Sequence, residues 1–301
     1  MNCGTHLFEF SRGSIWITEG NTLIIGYDVC HPEPQIKRGE EKGTPKSPSV
    51  LGISFNGASH PGMFIGDYAF QTSGAEQVPR SILKERARWI LRLFHESRKK
   101  LPETVIIIRD GVSEGQYRMV MCEEVNAIRD GLRESAYEIN RTSPYRPKIV
   151  CIIVCKRHSK RFAIKTDKGF VNCVPLTVID RDVTRPDTTE FFMQSHRITM
   201  GTGKMPAYTV LINEKGLEMD EVQSLLMALC YTHQIITQAV SIPEPVFQAH
   251  EWAKRGSNIF KARASERRPL PRTEDGEYDW ERITRELCRM GTQLQSTRSN
   301  A

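Results

Sequence analysis

The sequence predicts an α/β protein built on a mixed sheet with helices on both faces. Three observations support this. Strand-length apolar runs follow one another early in the chain: TLIIGYDV (22–29), SVLGISFN (49–56) and MFIGDYAF (63–70). Two later runs, TVIIIRD (104–110) and KIVCIIVC (148–155), are continuously apolar and too short for buried helices, as expected of strands covered on both sides. Segments of helical period alternate with these later strands.

The link between the first two strands, HPEPQIKRGEEKGTPKSP, has no hydrophobic period and reads as an exposed loop. Pro79 can open a helix, and Ile82, Leu83, Ala87, Ile90, Leu91 and Phe94 then share one face of it. Tyr117, Val120, Val125, Ile128 and Leu132 predict a second amphipathic helix before the 148–155 strand. Beyond it come a strand at 207–212, a helix carrying Val222, Leu225, Leu226 and Leu229, and a short helix over 245–254. Residues 262–279 turn polar and rich in Pro, Arg and Glu, which reads as a linker. Trp280, Ile283, Leu287, Met290 and Leu294 then predict a terminal helix docked on the body.

Apolar content of 39% and charged content of 26% over 301 residues exclude a disordered chain. A net charge of +6 suits a polyanionic partner without proving one. No apolar stretch approaches the ~20 residues of a membrane helix, and the opening MNCGTHLFEF shows no signal-peptide pattern. The eight cysteines form no CxxC pair, so the expectation is reduced thiols in a cytoplasmic or nuclear protein.

Two aspartates end apolar strands, Asp28 in IIGYDVCHP and Asp110 in IIIRDGVSEGQ. Brought together, such carboxylates repel unless a cation lies between them, and hard oxygen ligands select Mg²⁺ or Mn²⁺. Taken singly, each aspartate also reads as an ordinary turn or cap residue. His250 is a third possible ligand, though a lone histidine on a helix is more often packed or exposed. Lys156, Arg157, His158, Lys160 and Arg161 follow a buried strand, where a basic run either tracks phosphates or is a solvated face.

Whole segments go further than spacing. IIGYDVCHP, IIIRDGVSEGQY, KRHSKRF, FFMQSHRITMGTGKMPAYTVL and AVSIPEPVFQAH resemble, in order, segments of the PIWI domain of eukaryotic Argonaute/Piwi proteins, and GYDVCHP and FIGDYAFQ resemble the nematode branch. The resemblance implies an RNase-H-like fold, with a lead-in over 1–21, the PIWI domain over 22–262, and a polar linker and C-terminal helix over 263–301. It implies a catalytic set of Asp28, Glu76, Asp110 and His250, of which Asp28, Asp110 and His250 would bind two Mg²⁺ (or Mn²⁺) ions. Counting forward from His60-Pro61 places the glutamate at Glu76, counting back from Asp110 lands on Val78, and Asp67 and Glu85 are the next carboxylates to consider.

The resemblance also implies guide-RNA contacts at Lys156, Arg157, Lys160, Arg161, Lys204 and Arg255, with a small guide RNA, its target RNA and silencing-complex proteins as partners. The implied function is guide-directed cleavage of the target strand in small-RNA silencing, or else non-cutting guide binding that silences by recruitment. Nothing in the chain matches the family's N-terminal, PAZ or MID domains, so by itself it is expected to hold a guide weakly.

Overall fold

The computed structural model describes residues 21–32, 47–58, 60–141, 144–266 and 268–298. The expected lead-in and most of the loop after the first strand lie outside the described residues. In chain order the strands are β1 (Thr22–Cys30), β2 (Ser49–Phe55), β3 (Ile65–Gln71), β4 (Thr104–Asp110), β5 (Lys148–Cys155), β6 (Ala163–Thr166), β7 (Gly169–Asn172), β8 (Thr177–Ile179), β9 (Thr189–Gln194) and β10 (Ala207–Asn213). The helices are α1 (Arg80–Arg98), α2 (Val125–Asn140), α3 (Met219–Cys230), α4 (Glu244–Ala264) and α5 (Trp280–Leu287).

Eight strands form one sheet in the order β3-β2-β1-β4-β5-β10-β9-β8, and β6 and β7 make a separate hairpin. β1, β4 and β5 run parallel at the centre, and antiparallel pairs extend the sheet on either side. This mixed architecture is the RNase-H-like sheet that the sequence implied.

Alternation sorts the central strands between two cores. Leu23, Ile25 and Tyr27 of β1 and Val105 and Ile107 of β4 pack with α1 and α2. Ile24 of β1 and Ile106 and Ile108 of β4 face the other way, toward α3 and the start of α4. Both aspartates continue the second set, so the pleat itself directs them to the α4 side of the sheet.

α4 sits unusually close to the sheet because β1 and β2 carry glycines beneath it. A Cβ on Gly26 would lie 2.4 Å from the Pro245 carbonyl carbon, and one on Gly52 would lie 1.9 Å from the Ala249 carbonyl oxygen. The Ser54 hydroxyl donates to the Pro245 carbonyl at 2.6 Å and fixes the height of the helix start.

Several elements depart from the sequence expectation. α4 is not a short helix ending near 254. It continues to Ala264 because Trp252, Ala253 and Phe260 pack on Val50, Tyr68 and Phe70 of the outer strands. The terminal helix stops at Leu287 rather than running through Leu294. The buried Asp67 carboxylate accepts the backbone N–H groups of Arg289 (2.9 Å) and Met290 (2.9 Å), which takes them out of helical pairing. The second amphipathic segment begins with a 3₁₀ turn and a π-helical turn over Val120–Glu124 before α2 becomes regular. The strands between 163 and 194 were not anticipated, since β6 to β8 are short and mostly exposed. Among the described residues no helix is long and apolar enough to cross a membrane.

Gly52→Ala forces a methyl group into the α4 backbone, and overpacking of this kind costs about 1–3 kcal/mol. Urea unfolding should show a loss at the upper end of that range. Gly115→Ala, where an added Cβ meets nothing within 4 Å, should be close to neutral. Equal stability of the two variants would mean that α4 does not need the glycine seat.

Candidate functional site

The parallel register of β1 and β4 pairs Ile24 with Ile106 and Tyr27 with Arg109, so Asp28 and Asp110 come next, side by side on the same pleat. Neighbouring strands lie about 4.8 Å apart, which sets the scale of their separation. His250 comes down from α4, and its Nδ1 donates to Asp28 Oδ2 at 3.0 Å. The Cys30 thiol, on the same face of β1, donates to the same oxygen at 3.4 Å and lies 3.5 Å from His250 Nδ1. The Asp28 side chain is 9% exposed and that of His250 40%, so the group is rooted in the core and open to solvent on one side.

The electrostatics are those of a crowded anionic site. Burial works to raise the Asp28 carboxyl, but the His250 hydrogen bond and the Arg109 charge outweigh it and hold Asp28 below the usual range. Asp110 is pushed up to about 7, by burial first and then by the charge of Asp28. His250 is raised chiefly by its hydrogen bond to Asp28. Burial, then Asp28, pushes the Cys30 thiol up to about 12. Burial and the charge of Asp28 thus favour a proton or a cation between the two carboxylates.

Glu76 is tied to residues that flank the two aspartates, His31 and Arg109. Arg109 Nη2 donates to its side chain at 2.7 Å and to its carbonyl at 3.0 Å, and His31 Nε2 bonds its other carboxylate oxygen at 2.7 Å. His31 Nδ1 in turn shares a 2.8 Å hydrogen bond with Ser49 Oγ. Glu124 anchors the arrangement from the π-helical turn. It is fully buried and accepts from Tyr27 Oη (2.8 Å), Arg109 Nε (3.3 Å) and the Val78 N–H (3.0 Å). Val78 is therefore a core residue whose amide pins the loop, while the Glu76 carboxylate is held by Arg109 and His31.

The other two candidate carboxylates are engaged elsewhere. Asp67 is fully buried and paired with Arg86 at 2.7 Å, and Glu85 lines a groove between α1 and the C-terminal segment. Sequence reasoning passed over Arg109, His31 and Glu124. Arg109 and His31 directly adjoin Asp110 and the Asp28 strand, so an interest in charged neighbours of the two aspartates would have found them. Nothing local singles out Glu124.

The six basic residues divide. Arg157, Arg161 and Lys204 are exposed, and Arg161 caps the carbonyls of His158 and Lys160. Lys156 is half-buried on Ser241 at 2.8 Å, and burial lowers its pKa. Lys160 pairs with Glu190 at 3.2 Å, and Arg255 lies over the Trp252 ring at 5.1 Å.

The sequence pattern of the Piwi domain matches residues 8–261. The chain belongs to the Piwi-domain family. It is 30% identical to Argonaute protein wago-1 of Caenorhabditis elegans over 93% of the chain, and 34% identical to protein argonaute-2 of Drosophila melanogaster over 78% of it. It spans only 29% and 18% of the length of those two proteins. Among solved structures it resembles the C-terminal lobe of a budding yeast Argonaute, with a TM-score of 0.70 and 28% identity, covering 81% of the chain and 50% of that one. It is similar to the same degree, with a TM-score of 0.69 and 28% identity, to Kluyveromyces polysporus Argonaute solved with a guide RNA, over 81% of the chain and 28% of that protein.

Glu124→Gln removes one of the two carboxylates paired with buried Arg109 and leaves only Glu76, and breaking a buried pair costs up to about 3–5 kcal/mol. The Val78 amide should lose protection in hydrogen exchange along with this fall in stability. Protection that survives would show that Glu124 does not anchor the Glu76 loop.

Proposed function

We propose that this Piwi-family chain is the cutting domain of a small-RNA-guided endoribonuclease. The observation that carries the proposal is the side-by-side placement of Asp28 and Asp110 on adjacent parallel strands, with His250 on Asp28 and Glu76 tethered to Arg109. The donor set fits hard divalent ions, because two carboxylates on adjacent parallel strands and an imidazole bonded to one of them meet at one place. Asp28, Asp110 and His250 would hold them, and when bound they supply an activated water and neutralise the leaving oxygen.

The chain's own residues do the rest. Asp28 holds the His250 ring by its Nδ1 hydrogen bond and so sets its orientation. Arg109 and His31 together fix both oxygens of Glu76, which would close the metal shell and orient water. Arg109 stays charged: burial opposes the charge, and the surrounding acidic groups, Glu124 foremost, overcome it. The exposed Arg157, Arg161 and Lys204 would contact phosphates of a guide–target duplex, which is held by its shape while base pairing reads sequence. The partners proposed are a small guide RNA and its complementary target, together with proteins of a silencing complex, in the cytoplasm or nucleus.

The test is Mg²⁺-dependent cleavage of a complementary RNA by the guide-loaded chain supplied with the family's guide-anchoring domains. Asp28→Ala should abolish cleavage. Glu76→Gln should slow it on the order of a hundredfold while leaving duplex affinity nearly intact, as for other preorganised catalytic groups. A parent protein that binds the duplex with Mg²⁺ present and never cuts it would make the chain a non-cutting guide binder instead.

Binding itself should depend on salt. Replacing Arg157, Arg161 and Lys204 together with alanine should flatten the log–log salt dependence of RNA affinity by roughly 2–3, at about 0.7–0.9 for each phosphate no longer neutralised. An unchanged slope would mean that these three side chains face only solvent.

A further inference from the structure

Cys30 has no part in the proposed cutting chemistry, yet its sulfur stands at the heart of the site. Asp28, Cys30 and His250 each offer one possible ligand atom, and these atoms all lie within 4.8 Å of one another. Their spacing is specific. Sulfur to nitrogen is 3.5 Å, sulfur to oxygen 3.4 Å and nitrogen to oxygen 3.0 Å, with the same three atoms making every contact. A tetrahedral zinc ion, with bonds of about 2.3 Å to sulfur and about 2.0 Å to nitrogen and oxygen, spaces its ligands by about 3.5 Å where sulfur is involved and about 3.3 Å between nitrogen and oxygen.

The triangle on the protein is thus one face of a zinc tetrahedron, needing adjustments of a few tenths of an ångström. We infer that Asp28, Cys30 and His250 form a three-ligand site for Zn²⁺, which on binding releases the Cys30 thiol proton to solvent and takes the His250 Nδ1 lone pair, its ring proton passing to Nε2 or to solvent.

Ligand chemistry points the same way. A thiolate beside an imidazole selects borderline and soft ions, whereas Mg²⁺ takes oxygen ligands and has no use for the sulfur. Each ligand is held from behind. Asp28 and Cys30 lie two residues apart on the same face of β1, and the glycine seat under α4 sets the height of His250. The zinc set shares Asp28 and His250 with the proposed Mg²⁺ set but replaces Asp110 by Cys30. One occupant therefore excludes the other, and zinc would hold the site in a non-cutting state. That competition rests on the proposed cleavage activity, while zinc binding stands on the geometry alone.

The test reads metal binding directly on the full chain. Zn²⁺ titrated against a chromophoric chelator should bind at one equivalent. Co²⁺ in its place should show the near-ultraviolet charge-transfer band of a thiolate-bound cobalt. Cys30→Ser should lose the band and weaken Zn²⁺ by more than a hundredfold, beyond the 10–100-fold typical of losing a mere supporting hydrogen bond.

A measurement on the unaltered chain guards against a variant that misfolds. At alkaline pH, with an exposure long enough for the metal-free chain to be alkylated at Cys30, Zn²⁺ should protect that thiol, mapped by mass spectrometry, and leave the exposed Cys122 reactive. Absence of the cobalt band, its survival in Cys30→Ser, or alkylation of Cys30 unaffected by Zn²⁺ would each overturn the inference. A chain that binds zinc through Cys30 but never cuts RNA keeps the inference and loses the proposed activity. One that cuts with Mg²⁺ and binds no zinc does the reverse.

Discussion

A guanidinium removed from water costs several kcal/mol unless its donors all find acceptors, and breaking such a pair afterwards costs more than forming it returns. Arg109 is in that position. It is fully buried on β4, lies over the Tyr27 ring at 5.1 Å, and directs its donors to Glu124, to the Asp110 carbonyl and to both the side chain and the carbonyl of Glu76. Through these bonds a single cation ties the end of β4, the π-helical turn before α2 and the loop after β3 to one point. The Glu76 carboxylate owes its place to this cation, since its own segment has no regular structure to hold it.

The other constraint is steric. His250 meets Asp28 only because α4 approaches the sheet to within backbone contact, and Gly26 and Gly52 make that approach possible. Close approach shortens the reach of the imidazole and buries the base of the site, and burial is what raises Asp110 and Cys30. Packing and electrostatics are coupled here: the seat that brings the ligands together also makes their unneutralised charges costly.

The basic surface is smaller than the charge count suggests. Lys156 and Lys160 turn to Ser241 and Glu190, and Arg255 lies along Trp252, so the sequence cluster after β5 contributes partly to stability rather than to ligand contact. Arg157, Arg161 and Lys204 keep their side chains exposed on the described surface. A run of positive residues gives a sign of charge. It does not say which side chains remain exposed.

The sequence by itself determined the central strands, the two covered faces and the place of Asp110 at the end of β4, because a buried strand must be continuously apolar. Asp28, expected to end its strand, lies inside β1, which pairs with β2 as far as Cys30. The resemblance of whole segments carried His250 and Glu76, which period and composition do not single out. Tertiary structure decided the rest. The length of α4 depends on outer-strand aromatics it meets only after folding, and the early end of α5 on a carboxylate more than two hundred residues away at Asp67. Glu124 lies on a segment of ordinary helical pattern, and its role exists only once β1 and β4 bring Tyr27 and Arg109 to it. Cys30 is a plain small residue in the sequence, because a ligand triangle is a property of distances and His250 stands 220 residues away along the chain.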